Sequence, residues 1–330
     1  MRVRCVGRTL ACAASMAAST ALAQHELPLV SLKPPEAPVE APSPPTEVAP
    51  VEVTATLSPA ELKAVSYTFV KSYAAPTARL GQIPRWRAPV CVQVGGVSRT
   101  TADLIVTRLE PAARLTGQTL GRDGCSANVS IYFSDDPQGL VDNLAAQDER
   151  ILGYYHHAEF NRLKTVNRPI QAWYMTATAG SGGPATGALL ANVGRTRYSS
   201  EDLDDPESGA PTGCADSRIT GCLESVFQSV LVVVDNRRTA KLNPELVGDY
   251  VAMLVFSEPN AQGGCNPLPS VVDLFADCSG RTKPQGLTSA DRAYLTALYK
   301  ANLEAKLPNE QSQIAEEMAA TLVKAQSEKR

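Results

Sequence analysis

The segment that most restricts the fold is Ser225–Val234, S-V-F-Q-S-V-L-V-V-V, the most strongly apolar run of the chain beyond its N-terminus. It is β-branched and nearly continuous rather than alternating. That predicts a strand buried on both faces, at the centre of a sheet covered on two sides. Pro244–Ser257 follows as a helix. Pro244 suits a first helical turn, and Leu246, Val247, Tyr250, Val251, Leu254 and Val255 form an apolar stripe. A central strand feeding a helix is the seed of an α/β layer structure, and the preceding pattern extends it. Val90–Val94 reads as a strand, and Thr101–Leu115 as a helix with Leu104, Ile105, Leu109 and Ala112 on one face and a bend at Pro111. Ala127–Phe133 and Ile170–Thr178 are further strands, with a less regular helix over Gln138–Tyr155 between them. A Gly- and Pro-rich loop follows the Pro244 helix. Thr288 and Asp291 then start a helix that presents Tyr294, Leu295, Leu298 and Tyr299 to the core, with Asp in the place usual for Glu. The expected fold class is α/β: a mixed-sheet sandwich with helices, a Pro-rich N-terminal linker and a C-terminal helix.

The domain organisation follows from composition. Residues 1–23 carry Arg2, Arg4 and Arg8, then the apolar run Thr9–Ala21, then Ala21-Leu22-Ala23 before Gln24, the three parts of a secretory signal peptide. Residues 24–59 contain Pro28, Pro34, Pro35, Pro38, Pro42, Pro44, Pro45, Pro50 and Pro59 and read as an extended, disordered linker. Within it Val51–Ala55 faintly resembles a strand-adding TonB box. Residues 60–306 form the folded domain. Residues 307–330 form an amphipathic helix with the narrow seam Ile314, Met318, Leu322 and Ala325, suited to weak docking or to a partner. The expected location is periplasmic or extracellular.

Signal cleavage leaves six cysteines, Cys91, Cys125, Cys214, Cys222, Cys265 and Cys278. An even number in an exported chain favours disulfides. Short loops suggest Cys214–Cys222 and Cys265–Cys278, leaving Cys91–Cys125. The rival, a zinc-thiolate cluster, lacks any C-x-x-C pair.

Composition narrows the chemistry. A formal charge of −3 gives no support to a broad nucleic-acid or anionic-membrane surface. No stretch after the N-terminus is long and apolar enough to span a bilayer. There are 3 histidines: His25 in the linker, and the adjacent His156 and His157, which diverge by about 100° on a helix and share a metal poorly. Glu201–Glu207 is an acidic loop whose Asp202, Asp204 and Asp205 could supply oxygens to Ca²⁺, without EF-hand spacing. Ala179–Gly183 is Gly-rich but lacks the Lys-Ser/Thr of a phosphate loop, and no Gly-x-Ser-x-Gly elbow is present. Trp86 and Trp173 read as packing anchors. Otherwise no cofactor is expected.

Three local stretches, taken in this order of elements, carry a resemblance: Arg85-Trp86-Arg87-Ala88-Pro89-Val90, Gly248-Asp249-Tyr250-Val251-Ala252-Met253-Leu254, and Leu287-Thr288-Ser289-Ala290-Asp291 running into Leu298-Tyr299. Together they resemble the metzincin metallopeptidases and, more closely, a bacterial family of secreted proteins of unknown function built on a similar plan. The metzincin pattern places His-Glu-x-x-His on the helix that here begins at Pro244. Histidines four apart share one helix face and bind Zn²⁺, while the Glu activates the bound water. Carried onto this chain, Gly248 stands at the first His, Asp249 at the Glu, Ala252 at the second His, and Glu258 near the third. Val272 replaces the Met of the Met-turn. The resemblance therefore implies a metallopeptidase-like domain without the zinc machinery: a non-catalytic pseudo-peptidase with no metal ligands, acting as a peptide- or protein-binding or scaffolding module. Asp249 and Glu258 are the candidate cleft carboxylates. Two alternatives stand beside it, a hydrolase using Asp249 and Glu258 with a cation other than zinc, and a structural component of the cell envelope.

Overall fold

The computed structural model describes residues 57–122, 124–153, 161–180, 217–221, 223–260 and 265–328. Strands β1 (Val92–Gly95), β2 (Val129–Ser134), β3 (Ile170–Gly180) and β4 (Leu223–Asp235) form one sheet in the order β1-β2-β4-β3. β1, β2 and β4 run parallel, with Ile131 opposite Val94 and Val232, while β3 lies antiparallel to β4 at the edge, Ile170 opposite Val234. The sheet is thus mixed, and β4 is interior. Its alternate residues serve two cores: Val230, Val232 and Val234 enter the larger one, Leu231 and Val233 the smaller. That double burial is why the strand is apolar at successive positions rather than at every second one.

The larger core lies under α2 (Arg99–Thr116), α4 (Pro244–Phe256) and α5 (Ser289–Lys300), the smaller under α3 (Pro137–Gln147). α4 is buried along its whole length from Leu246 to Phe256. Asn243 caps its start by accepting from Glu245 N–H, ahead of Pro244. α2 runs through Pro111 to Thr116 and ends at Gly117 in the left-handed conformation, φ 68°. The expected helix over Gln138–Tyr155 is instead broken: α3 stops at Gln147, and Asp148 caps a separate 3-10 turn, Glu149–Leu152, by accepting from Arg150 N–H. Trp86 and Trp173 are buried, each donating its indole N–H to a backbone carbonyl, of Val255 and Leu163.

Two ends of the folded unit depart from the sequence expectation. Pro59 is the first residue of α1 (Pro59–Tyr73) rather than the last of a linker. Ser58 and Glu61 close a reciprocal capping box, and a proline in the first turn loses no helical hydrogen bond. The C-terminal helix α6 (Leu307–Glu328) is part of the core rather than a loose appendage. It packs on α1 and α5. Its buried face extends beyond Ile314, Met318 and Leu322 to Glu310, Gln311, Ala315 and Ala319. Small and polar residues there widen a seam that looks narrow when only large apolar side chains are counted.

Cys91–Cys125 and Cys265–Cys278 are disulfide-bonded, with Cα atoms 6.0 and 5.6 Å apart. Cys214 and Cys222 lie outside the described residues, as do residues 1–56, His156, His157, Asp202, Asp204 and Asp205.

Candidate functional site

The α4 positions that the resemblance would set at zinc ligands are interior packing positions. Gly248 faces α2. A Cβ there would stand 2.7 Å from Arg108 Cβ and 2.8 Å from its Cγ, so the absent side chain is what lets the two helices approach. Ala252 is fully buried. Asp249, one residue on, is 1% exposed and its carboxylate is engaged from two sides. Arg108 donates through Nε to Oδ1 at 2.9 Å and through Nη2 to Oδ2 at 2.6 Å, and Leu287 N–H donates to Oδ2 at 3.1 Å. This is a bidentate, charge-assisted pair with a third bond from the backbone. The hydrogen bond to Asp249 raises the Arg108 guanidinium further above its ordinary range, fixing it as a cation. Asp249 is therefore a clamp among α2, α4 and the segment before α5.

Glu258 has different surroundings. It follows α4 in a short strap, where its carbonyl accepts from Ala75 N–H at 3.1 Å and Pro259 bridges to Ala74 at the exit of α1. Three tyrosines bond to this strap or to the end of α4 beside it, and a fourth, Tyr294, packs edge-on against Tyr73. Tyr73 Oη lies 3.2 Å from Ser257 Oγ, Tyr174 of β3 donates to the Ser257 carbonyl at 3.3 Å, and Tyr299 donates to the Phe256 carbonyl at 3.1 Å. Tyr294 is fully buried, is affected by the Glu258 charge, and has a hydroxyl with no hydrogen-bond partner among the described residues. The Glu258 carboxylate is half-buried and likewise has no hydrogen-bond or ion-pair partner among the described residues. Burial pushes it up to about 8. The two candidate carboxylates are thus not alike: Asp249 is bonded from two sides in the α2–α4 contact, and the Glu258 carboxylate, beside the α1 exit, has no partner among the described residues.

The region of the expected Met-turn is held by another buried acid. Val272 lies in a 3-10 turn, Val271–Phe275, capped by Ser270 and Asp273. Asp291 accepts from Ser270 Oγ at 2.5 Å, Val271 N–H at 2.8 Å and Thr288 N–H at 2.9 Å, joining this turn to α5. Its burial outweighs those bonds and lifts the carboxyl to about 6. A fourth acid, Glu310 of α6, pairs with the buried Arg85 and accepts from Ile83 N–H at 3.0 Å.

Arg108 and Glu310 are legible in retrospect. Arg108 stands at i+4 from Leu104 and i+3 from Ile105, a cation inside the apolar stripe of its helix. Glu310 stands four before Ile314, an acid at the head of another. An ionic residue on a core face needs a partner, but nothing local says which. Among the described residues, no group of three His, Cys, Asp or Glu side chains is gathered where it could hold a metal ion. An open groove of about 430 Å³ lies elsewhere, between α1 and α6, walled by Ala60, Ala64, Tyr67 and Ala315 and flanked by the Lys63–Glu316 pair. Comparison of the chain with protein-family models, with curated proteins and with solved structures finds no match.

Proposed function

We propose that this chain is an exported, non-catalytic relative of the metzincin fold that binds extended peptide segments by strand addition along β3. The observation that carries the non-catalytic part is the engagement of Asp249. A general base needs a lone pair directed at water. Here the residue at that position spends its lone pairs on Arg108 and Leu287, while its neighbours Gly248 and Ala252 close the helix against its surroundings.

The binding part is supported by the sheet. β3 is an 11-residue edge strand, and among the described residues it pairs with β4 alone. A long edge presents a row of N–H and C=O groups at strand spacing, a template for a further strand. Residues Thr176–Gly180 beyond its bulge at Met175/Thr176 are small and uncharged, which leaves close approach by another backbone unobstructed. Export is supported by the two disulfides together with the signal-like N-terminus. No helix among the described residues is long and apolar enough to cross a membrane.

The test uses the chain from Gln24 onward. Metal analysis is expected to find only substoichiometric zinc. Fluorescent peptides rich in Val, Thr and Ala are expected to bind without being cleaved, and N-methylation of alternate backbone amides on one edge of the peptide is expected to abolish binding. Tightly bound zinc at one per chain, or peptide hydrolysis lost on Asp249→Asn, would overturn the reading.

A further inference from the structure

β1 and β3 lie at opposite edges of the sheet, and the two edges are finished differently. β1 is 4 residues long, and the chain just before it is already paired. Val90 N–H donates to the Thr119 carbonyl at 2.9 Å, Gly121 N–H donates to the Val90 carbonyl at 2.8 Å, and Cys91 is bonded to Cys125. A short edge covered in this way resists pairing with another chain. β3 is 11 residues long, contains no charged residue and no proline, and is partly exposed at every position from Tyr174 to Gly180. Charged side chains and prolines are what keep long edges apart, and β3 has neither.

A strand meets a second copy of itself antiparallel across a two-fold axis, and the fit depends on which residue sits on that axis. The middle of the partly exposed segment Tyr174–Gly180 is Ala177. With Ala177 on the axis, Ala177 faces the partner's Ala177, Thr176 faces the partner's Thr178, and Met175 faces the partner's Ala179. Small thus meets small at the centre. Threonine meets threonine, a stabilising cross-strand pair, and the long Met175 meets a side chain that leaves it room. One step further, Tyr174, whose hydroxyl is held by the Ser257 carbonyl, lies beside the partner's Gly180, where no side chain obstructs its ring. No like charges oppose one another anywhere in this register. We propose that β3 joins a second copy of this chain through an antiparallel β3–β3 contact centred on Ala177, which continues the sheet from one copy into the other. This rests on the strand-addition reading and names its partner: the strand added along β3 is β3 of another copy.

The experiment is sedimentation of the chain from Gln24 onward over a range of concentrations. The expected result is a dimer at about 100 µM that dissociates on dilution toward about 1 µM. Ala177→Lys and Ala177→Glu each place like charges opposite one another at the axis, so each is expected to weaken the dimer at least about fivefold. An equimolar mixture of the two variants sets Lys against Glu and is expected to restore dimers to within about twofold of the parent chain. A synthetic peptide of residues 172–180 with a lysine tail for solubility tests the unaltered chain. It is expected to bind and to convert the dimer into monomers carrying one peptide each. A chain that stays monomeric at about 100 µM yet binds the peptide would overturn the β3–β3 contact and leave strand addition standing. A chain that stays monomeric and binds no peptide would overturn both. A dimer that ignores the peptide, or that survives Ala177→Lys undiminished, would place the contact elsewhere and overturn the proposal.

Discussion

The pair Arg85–Glu310 ties the segment before β1 to α6, and its removal has a consequence that can be worked through. Both side chains are essentially buried, 1% and 0% exposed. Arg85 also donates through Nη1 to the Ala301 carbonyl at 2.8 Å, and Glu310 Oε2 accepts from Ile83 N–H. Glu310→Gln keeps an acceptor for Ile83 but leaves a buried guanidinium with no counter-charge. Breaking one side of such a pair costs about 3–5 kcal/mol. In a unit of this size, about 1 kcal/mol moves the melting temperature by about 2–4 °C, so a fall of roughly 6–20 °C is expected. Arg85→Met acts differently, because the acid left behind can neutralise itself. Burial already lifts Glu310 to about 7, with Arg85 opposing the rise, and loss of Arg85 lifts it further. Its cost is therefore expected to be smaller at pH 5.5 than at pH 8, whereas that of Glu310→Gln falls from pH 5.5 to pH 8, because the parent chain loses stability as its Glu310 deprotonates through about 7 and the Gln variant does not. The double variant Arg85→Met/Glu310→Met removes both charges, and its cost is expected to fall short of the summed single costs by about 2–3 kcal/mol. Urea unfolding with disulfides intact, followed by circular dichroism at both pH values, gives all the corners of the cycle. Single costs that add to within about 0.5 kcal/mol, or a pH-independent Arg85→Met, would refute the account of a desolvated, mutually dependent pair.

Three further outcomes are expected. Asp291 and Glu258 both have folded values raised by burial, to about 6 and about 8, so the native state binds more protons than the unfolded chain above pH 4. Stability should therefore decline as pH rises through pH 4–8, seen as a falling urea midpoint, with Glu258→Gln flattening the upper part of the fall. Gly248→Ala should destabilise by about 1–3 kcal/mol, because its Cβ would meet the Arg108 stem, and Gly248→His/Ala252→His should fail to gain zinc; an unchanged unfolding midpoint or a bound equivalent of zinc by metal analysis would contradict the packed α2–α4 contact. Met318→Ala should cost about 2–4 kcal/mol in thermal unfolding, as expected for a fully buried side chain; a loss under about 0.5 kcal/mol would mean that α6 docks only loosely.

Much of the architecture is legible in the sequence because its signals are local. The runs around Val129, Ile170 and Val230 become strands, and capping residues mark the starts of α4 and α5. The break after Gln147 is missed because Asp148 acts through its own side-chain cap, which competes with continuing the helix. α1 is missed because Pro59 reads as one more proline of a series. Proline has two opposite meanings, in a linker and at a helix start, and the distinguishing Ser58–Glu61 box is small. The candidate site is less legible. Asp249 and Glu258 are both acids on or just after α4, and no spacing rule separates the one that meets Arg108, 141 residues away, from the one whose carboxylate meets no partner among the described residues.

The amino-acid sequence by itself determined the four strands, the helices α2, α4 and α5, and that β4 is covered on both faces, and its loop lengths suggested the Cys265–Cys278 pair. These follow from period, capping and loop length, properties of neighbouring residues. Only the tertiary structure decided that β3 turns antiparallel at the edge, that α6 completes the core, and that Asp249 is clamped while the Glu258 carboxylate meets no partner among the described residues. Those outcomes depend on contacts between residues far apart in the chain. A buried charge is compatible with any element that brings it a partner, so its fate is set when the layers pack.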